Sequence, residues 1–455
     1  ITALGYQAAR NTTSGTQSTA LGTQALYSNT TGSNVAVGNT ALYANTTGTA
    51  NTGIGMAALR FNTTASYNTA VGYQAGYTGT TAQQQTFVGY QAGRLSTGSY
   101  NTAVGSQALE TNAAGQYNVA LGKQALTLNT SGSYNTGLGT DALLSNTTAS
   151  YNTAVGYQAA YSNTTGTQNV ALGRLALLDN TTGGYNVALG NGSLENNTTA
   201  SESTAVGYQA GYTTTTGASN SVFGHKAWHG GTGSYNSVFG HTAYRDGGAG
   251  NNNAAFGYAS MANNTGSNNS AFGNQSVQNN TSGQYNTGLG SFALFSNTTS
   301  SGNTAVGYQA GYSQTTASGG SSSFFGYQAG YSLTGLFCTF VGGQAGYSAT
   351  SGQSNTFVGH FAGGNVTTGS KNTILGRYNG NQGGLDIRTA SNHIVLSDGD
   401  GNPRFYIIAN GVTYLPGVYD NTTAEAANVV SYSGGDGDMY RSTSALKYKQ
   451  DIRDV

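Results

Sequence analysis

Tyr151-Asn152-Thr153-Ala154-Val155-Gly156-Tyr157-Gln158-Ala159-Ala160-Tyr161-Ser162-Asn163-Thr164-Thr165-Gly166 is one turn of a pattern that recurs along most of this chain. Gly156 belongs to a series of marker glycines, spaced almost always 16 or 17 residues apart, that includes Gly5, Gly22, Gly38, Gly55 and Gly72 and ends with Gly342, Gly359 and Gly376. The residue before each marker is Val, Leu, Ile or Phe, and the residue before that is Ala, Gly, Val, Phe or Ile. A fixed period with one supersecondary unit per repeat predicts a solenoid. The expected class is therefore all-β, a parallel β-solenoid (β-roll) of about 17-residue rungs.

Neighbouring residues of a strand point to opposite faces. Both faces of this short strand are apolar, so both must be covered. One can look into the interior of the coil. The other needs a second surface, which predicts oligomerisation, with small side chains on that face favouring close approach of neighbouring chains. Three residues after the marker stands Ala in nearly every rung, as at Ala25, Ala75 and Ala159, with Ser193, Ser260 and Ser276 as exceptions. A position held small over so many rungs is a packing constraint. Asn-Thr-Thr-Gly and its variants supply the turn, because Asn and Gly tolerate positive φ. Asn11, Asn29, Asn45, Asn62, Asn146, Asn163 and Asn180 are assigned to this phase and also form N-glycosylation sequons. Asn can also bond its own backbone, and the period favours a structural turn with stacked Asn and Thr over a glycan acceptor. Rungs about 4.8 Å apart predict a shaft on the order of 100 Å.

Composition narrows the function. Of 455 residues 71 are Gly and 2 are Pro, and 7% are charged with a net charge of zero; an average soluble protein has about 25% charged residues. The basic footprint of a nucleic-acid binder is missing, and no apolar run reaches the roughly 20 residues of a membrane span. Phased apolar residues and 32 Tyr argue against disorder. Cys338 is the single cysteine, at a phase where other rungs carry Asn or Ser, and reads as a small semi-buried side chain. The chain opens in the middle of a repeat at Ile1, so a longer parent is expected.

The phrase Asn-Thr-Ala-Val-Gly followed by Ala resembles the repeat of trimeric autotransporter adhesin heads, over about residues 1–376. That resemblance implies left-handed rolls, three side by side about a common axis; the longer period here implies a larger turn loop. Thr443-Ser444-Ala445-Leu446-Lys447-Tyr448-Lys449-Gln450-Asp451-Ile452 resembles the entry to the intramolecular chaperone of endosialidase-type phage tailspikes and tail fibres. In that family the chaperone trimerises the fibre and then cuts itself off, which would assign self-cleavage to Ser444 with assistance from Lys449. The segment from Ala390 to Asn402 is similar to the stretch preceding such chaperones. The family's chaperone continues well past the point corresponding to Val455, which puts self-cleavage by this chain in doubt.

The expected organisation is a shaft over residues 1–376, a β-rich tip or collar over 377–440, and a chaperone junction over 441–455. The expected role is a structural and adhesive extracellular fibre, a phage tail fibre in the virion. Its expected partners are two further copies of itself, other virion components and a host-surface glycan or protein receptor. A bacterial trimeric adhesin head is the alternative, and an ice-binding solenoid a third reading. No cofactor is expected, and no catalytic constellation is found in the shaft: 15 acidic residues are scattered along the chain without a recurring pair. His225 and His241, sixteen residues apart and so stacked in adjacent rungs, could meet an axial metal in a trimer, but their variable polar phase points outward; His360 shares the phase. Asp398 and Asp400 have the spacing that opens a calcium loop but lack its later Glu, so a hairpin turn is preferred. Tyr falls in three phases, exemplified by Tyr73, Tyr77 and Tyr67, suited to inter-rung stacking and, at the surface, to packing against sugars. Tyr406 and Tyr414 mark the tip as a candidate receptor surface.

Overall fold

In the computed structural model, residues 1–14, 17–315, 320–416, 430–431 and 440–441 are described. They contain strands, turns and no helix. Twenty-three three-residue strands recur from Thr2–Leu4 to Thr373–Leu375, each ending just before a marker glycine. Parallel pairing aligns each with its counterpart one repeat away, as Thr153–Val155 aligns with Thr136–Leu138 on one side and Val170–Leu172 on the other. The chain is a parallel β-solenoid with tandem repeats. It divides into two compact units, Ile1–Phe324 and Phe325–Val455.

The rung from Tyr151 to Gly166 shows how the coil is held. Its backbone N–H groups are shared between the rungs on either side. Thr153, Ala160 and Ser162 donate forward to the carbonyls of Asn169, Ala176 and Leu178 at 2.8–2.9 Å. Tyr151, Gly156 and Gln158 donate backward to Ser133, Leu138 and Thr140 at 2.8–3.1 Å. Reversing direction this often requires left-handed residues, and Tyr151, Gln158 and Ala160 have φ of 63°, 54° and 51°. Each costs about 1–2 kcal/mol in an L-residue, offset by the inter-rung hydrogen bonds that fix it.

This corrects the expectation that Asn of the Asn-Thr-Thr-Gly turn supplies positive φ. The left-handed positions fall mostly on Gln, Leu, Ala and Tyr at other phases of the rung, whereas Asn29, Asn45 and Asn163 are absent from them. The marker glycine does need its freedom. Gly22 has φ +132°, and a Cβ there would lie 2.6 Å from the carbonyl oxygen of Gly38, while one on Gly156 (φ +136°) would lie 2.5 Å from that of Gly173.

The core is one side chain wide. The central strand residue, the Ala three after the marker and the residue four after it point inward, as with Ala120, Ala125 and Leu126, all fully buried. The second correction follows. The small central residue faces inside, and the strand residues on either side of it, larger and β-branched or aliphatic, face out. Core volume is adjusted where the central residue is large. Where the central residue is Phe (Phe87, Phe324, Phe340, Phe357), the position four after the marker is Gly (Gly93, Gly330, Gly346, Gly363). A Cβ on Gly93 would come within 2.6 Å of the Phe87 ring. In the rungs of Trp228 and Tyr244, Gly231 and Gly247 lie against those rings and give them room.

In the second unit Thr373–Leu375 pairs in parallel with Ile394–Ser397, so the ladder continues past residue 376 after an excursion that contains the small antiparallel pair Asn381–Gln382 and Leu385–Asp386. Tyr378 fills the space beside that excursion, donating its hydroxyl to the Leu385 carbonyl at 2.6 Å, and burial pushes its pKa up. Ile394–Ser397 then pairs antiparallel with Pro403–Ile407, which pairs with Thr413–Tyr414.

Core balance gives a direct test. Gly93→Leu should lower stability by about 1–3 kcal/mol through overpacking, and Phe87→Ala in the same chain should recover most of it. Denaturant unfolding of both variants checks this; an additive double variant would show that the two positions do not share one space.

Candidate functional site

The sequon asparagines lie inside. Asn29, Asn45, Asn62, Asn146, Asn163 and Asn180 are fully buried and form an amide ladder. Asn146 Nδ2 donates to Asn129 Oδ1 at 2.8 Å, Asn163 to Asn146 at 3.0 Å and Asn180 to Asn163 at 2.7 Å. Each of these amides except Asn29 also donates to the carbonyl three residues on, as Asn163 does to Gly166 at 2.9 Å. Their nitrogens are thus committed within the coil, not presented to a glycan-transferring enzyme. Asn11 is the exception and a correction. Its N–H donates to Tyr27 O as that of Ser28 does to Tyr43 O, so it stands one residue short of the ladder; Thr12 occupies the ladder phase and Asn11 is exposed. The ladder ends as a row of donors must. Asn29 Nδ2 is buried without a partner at the first member, and Asn197 Oδ1 likewise at the last member of the run that resumes after a break at Gly79.

A second ladder runs four residues before the marker. Asn152 Oδ1 accepts the backbone N–H of Asn169 at 2.9 Å, and Asn152 Nδ2 donates to Gly166 O at 2.9 Å. Cys338 takes this position in its rung. It is buried, with Sγ 3.6 Å from the carbonyl oxygen of Gly352, and burial raises its pKa to about 11. That is the chemistry of a filler and not of a nucleophile.

On the outside, aromatic side chains form columns. Tyr100, Tyr117, Tyr134 and Tyr151 stack at 4.7, 5.0 and 5.1 Å with near-parallel rings. The faces of Tyr117 and Tyr134 are therefore covered by their neighbours, and this column offers edges and hydroxyls, with an open face only at its ends. His225 and His241 stack at 4.8 Å between Tyr208 and Tyr258, all four exposed. Among the described residues no three His, Cys, Asp or Glu side chains gather as metal ligands. His360 is exposed at the same phase in the second unit.

Asp398 sits in the turn between Ile394–Ser397 and Pro403–Ile407. Its carboxylate accepts the backbone N–H of Asn402 at 2.9 Å and of Asp400 at 3.1 Å, and the Arg404 guanidinium at 2.7–2.8 Å. Backbone donation from Asn402, with Arg404, holds its pKa near 2. These contacts are those of a hairpin turn; Asp400 is exposed beside it. Tyr406 and Tyr414 stack across paired strands at 4.6 Å. Ser444 and Lys449 lie outside the described residues.

The feature that sequence reasoning missed is on the outer sheet face. Leu121, Leu172 and Leu289 are 44%, 43% and 47% exposed and belong to a row of Val, Leu, Ile and Phe on that face. Beside it runs the row two residues earlier. Eighteen strands place Thr or Val there, and the residue before their marker is Val, Leu or Ile. The other five, Ser221–Phe223, Ser237–Phe239, Ala254–Phe256, Ser270–Phe272 and Ser323–Phe325, place Ser or Ala there and Phe before the marker. Every Phe on the outer face is thus accompanied by a small residue in its own rung. The signal was in the strand triplets, but it carries meaning only once both rows are known to share a face.

The fold and these ladders define the chain as a tandem-repeat β-solenoid. Comparison with protein-family models, with curated proteins and with solved structures gave no match. Among the described residues no helix is long and apolar enough to cross a membrane.

Two outcomes follow from these ladders. Asn146→Ala removes the donor to Asn129 Oδ1 and one of the two acceptors of Asn163 Nδ2 and should cost about 1–3 kcal/mol, whereas Thr214→Asn, which would give Asn197 Oδ1 its donor, should raise the melting temperature. Cys338 should resist iodoacetamide at about pH 8 until the chain is unfolded; mass spectrometry of the folded protein reads this directly.

Proposed function

We propose that the chain is a subunit of an extracellular homotrimeric fibre that attaches a phage to its host, as the resemblance of its repeats and of its 443–452 segment suggests. The observation that carries the reading is the compensated outer face. Packing density matters only where a surface is covered, since close-packed interiors register a change of even one methylene and water does not. A cover that tolerates Phe only beside a small residue, in rungs as far apart as Ser221–Phe223 and Ser323–Phe325, must itself repeat with the rung. A second copy of this chain, side by side and in axial register, meets that condition. The same face answers the two-sided strand argument, with its larger side chains turned toward the neighbour. Attachment through many copies of one rung gives binding by avidity, each contact being weak. A bacterial trimeric adhesin would use the same assembly.

A second reading gains one observation. Thr52, Thr69, Thr86 and Thr102 are aligned in register on a β-sheet face and not only in turns, as a flat ice-binding surface requires. The two readings compete for one face, so one sample distinguishes them. Light scattering with sedimentation should report an elongated particle of three times 46.2 kDa. Leu121→Lys with Leu138→Lys and Leu172→Lys should release monomers that keep their β spectrum. A wild-type monomer with thermal hysteresis would replace the fibre by the ice-binding solenoid. A monomer without it would remove the basis of both.

A further inference from the structure

Five residues after the marker, the first six rungs place Arg10, Tyr27, Tyr43, Arg60, Tyr77 and Arg94 in one column. Tyr27 and Tyr43 stack at 5.0 Å. The Arg60 guanidinium then lies 5.9 Å from the Tyr43 ring centre, 5.4 Å from that of Phe61 and 5.9 Å from that of Tyr77. Arg10 lies 5.7 Å from the Tyr27 ring centre and donates to its hydroxyl at 3.1 Å. Arg94 is already spent on Glu110, at 2.9 Å. Arg60 pairs with no carboxylate among the described residues. Its Nη1 makes only a long 3.5 Å contact with the Tyr77 hydroxyl, its Nε is buried without a partner, and its Nη2 has no protein partner and is not among the buried atoms. Glu110 is the first acidic residue of the chain, so residues 1–109 carry three arginines and no counter-charge.

Together these describe a guanidinium held for a ligand. Three rings fix its rotamer, so little side-chain entropy remains to be lost on binding. Arg matches a planar carboxylate through two parallel N–H bonds. The tyrosine hydroxyls on either side add partners for hydroxyl groups.

We infer that the Arg10–Arg60 column is a binding site for an acidic polysaccharide, with a uronate or other sugar carboxylate on Arg60 and a second on Arg10 three rungs away, about 14 Å at the β-ladder spacing. Its role as a receptor site rests on the attachment reading above. Nucleic acid is disfavoured by the same geometry. The rings of this column cover one another or the guanidinium and leave little open face for bases, and two unpaired arginines are few for a phosphate backbone.

The test is a titration of the full chain with alginate, a polyuronate, alongside neutral dextran, glucuronate monomer and a single-stranded oligonucleotide. Alginate should bind and dextran should not. Glucuronate should compete only at far higher concentration, because it meets one arginine at a time; competition at equal concentration would reduce the column to a single-carboxylate site and overturn the polymer assignment. Arg60→Ala should weaken alginate binding at least tenfold. Arg60→Lys, which keeps the charge and the fold but loses the fork, should weaken it severalfold. Unchanged binding in both variants, or equal binding of dextran, overturns the site. Tighter binding of the oligonucleotide overturns the ligand class. Native mass measured on the same samples separates the two proposals: a monomer that binds alginate through Arg60 removes the fibre and leaves the site, and a trimer that binds none does the reverse.

Discussion

Every rung of this coil depends on the rung beside it for its backbone hydrogen bonds. Tyr151, Gly156 and Gln158 donate one way and Thr153, Ala160 and Ser162 the other, so a single rung in water would leave its left-handed residues strained with nothing to offset them. That mutual dependence accounts for the marker glycine. At Gly22 and Gly156 the next rung's backbone comes within the space of a methyl group. It also accounts for the buried amides, which satisfy in side chains the carbonyls that the narrow turn leaves inside. Hydrophobic burial is modest by comparison, since the core is mostly Ala with one Leu or its equivalent per rung. Stability in such an array is a sum of repeated neighbour terms. Its weak points are therefore local breaks, such as the end of the asparagine ladder at Asn197.

Much of this was legible in the residues. The spacing of Gly38, Gly55 and Gly72 fixes the rung, and the Ala three positions later marks a crowded interior. The Asn-Thr-Thr-Gly phrase was read as a turn with stacked Asn, and the ladder bears that out; the part that failed was the assignment of positive φ to its Asn. A local rule assigns Asn to positive φ, but in a stacked array a buried amide gains more by pairing with its own copy one rung away. Asn11 shows the limit of reading by motif alone. It carries the same Asn-Thr-Thr triplet, yet lies one residue out of phase and outside the ladder. The side of the strand that faces in could not be decided from Ala154 and Val155, because both are apolar. In the closed coil it is the central residue, Ala154, that turns inward, while Val155 lies on the outer face.

The surface follows the same logic of repetition with local exceptions. Stacked columns such as Tyr100 to Tyr151 use up their ring faces on one another, so an abundance of tyrosine does not translate into an abundance of sugar-stacking platforms. Recognition is better sought where a column changes character, as at Arg60 between Tyr43 and Tyr77. The paired rows of the outer sheet face belong to a different scale, since Phe there stands beside a small residue in every rung that carries it.

The constancy of the rung also bears on how such a gene can change. Because Asn146, Asn163 and Asn180 offer identical chemistry to whatever lies one period away, a duplication or deletion of whole repeats rejoins every ladder without a new junction. Unequal recombination between near-identical coding units would then lengthen or shorten the coil in steps of one rung, and because both amide ladders already bridge rungs of 16 and of 17 residues, the units need not be equal in length. Reach becomes a heritable quantity that can drift without passing through an unfolded intermediate.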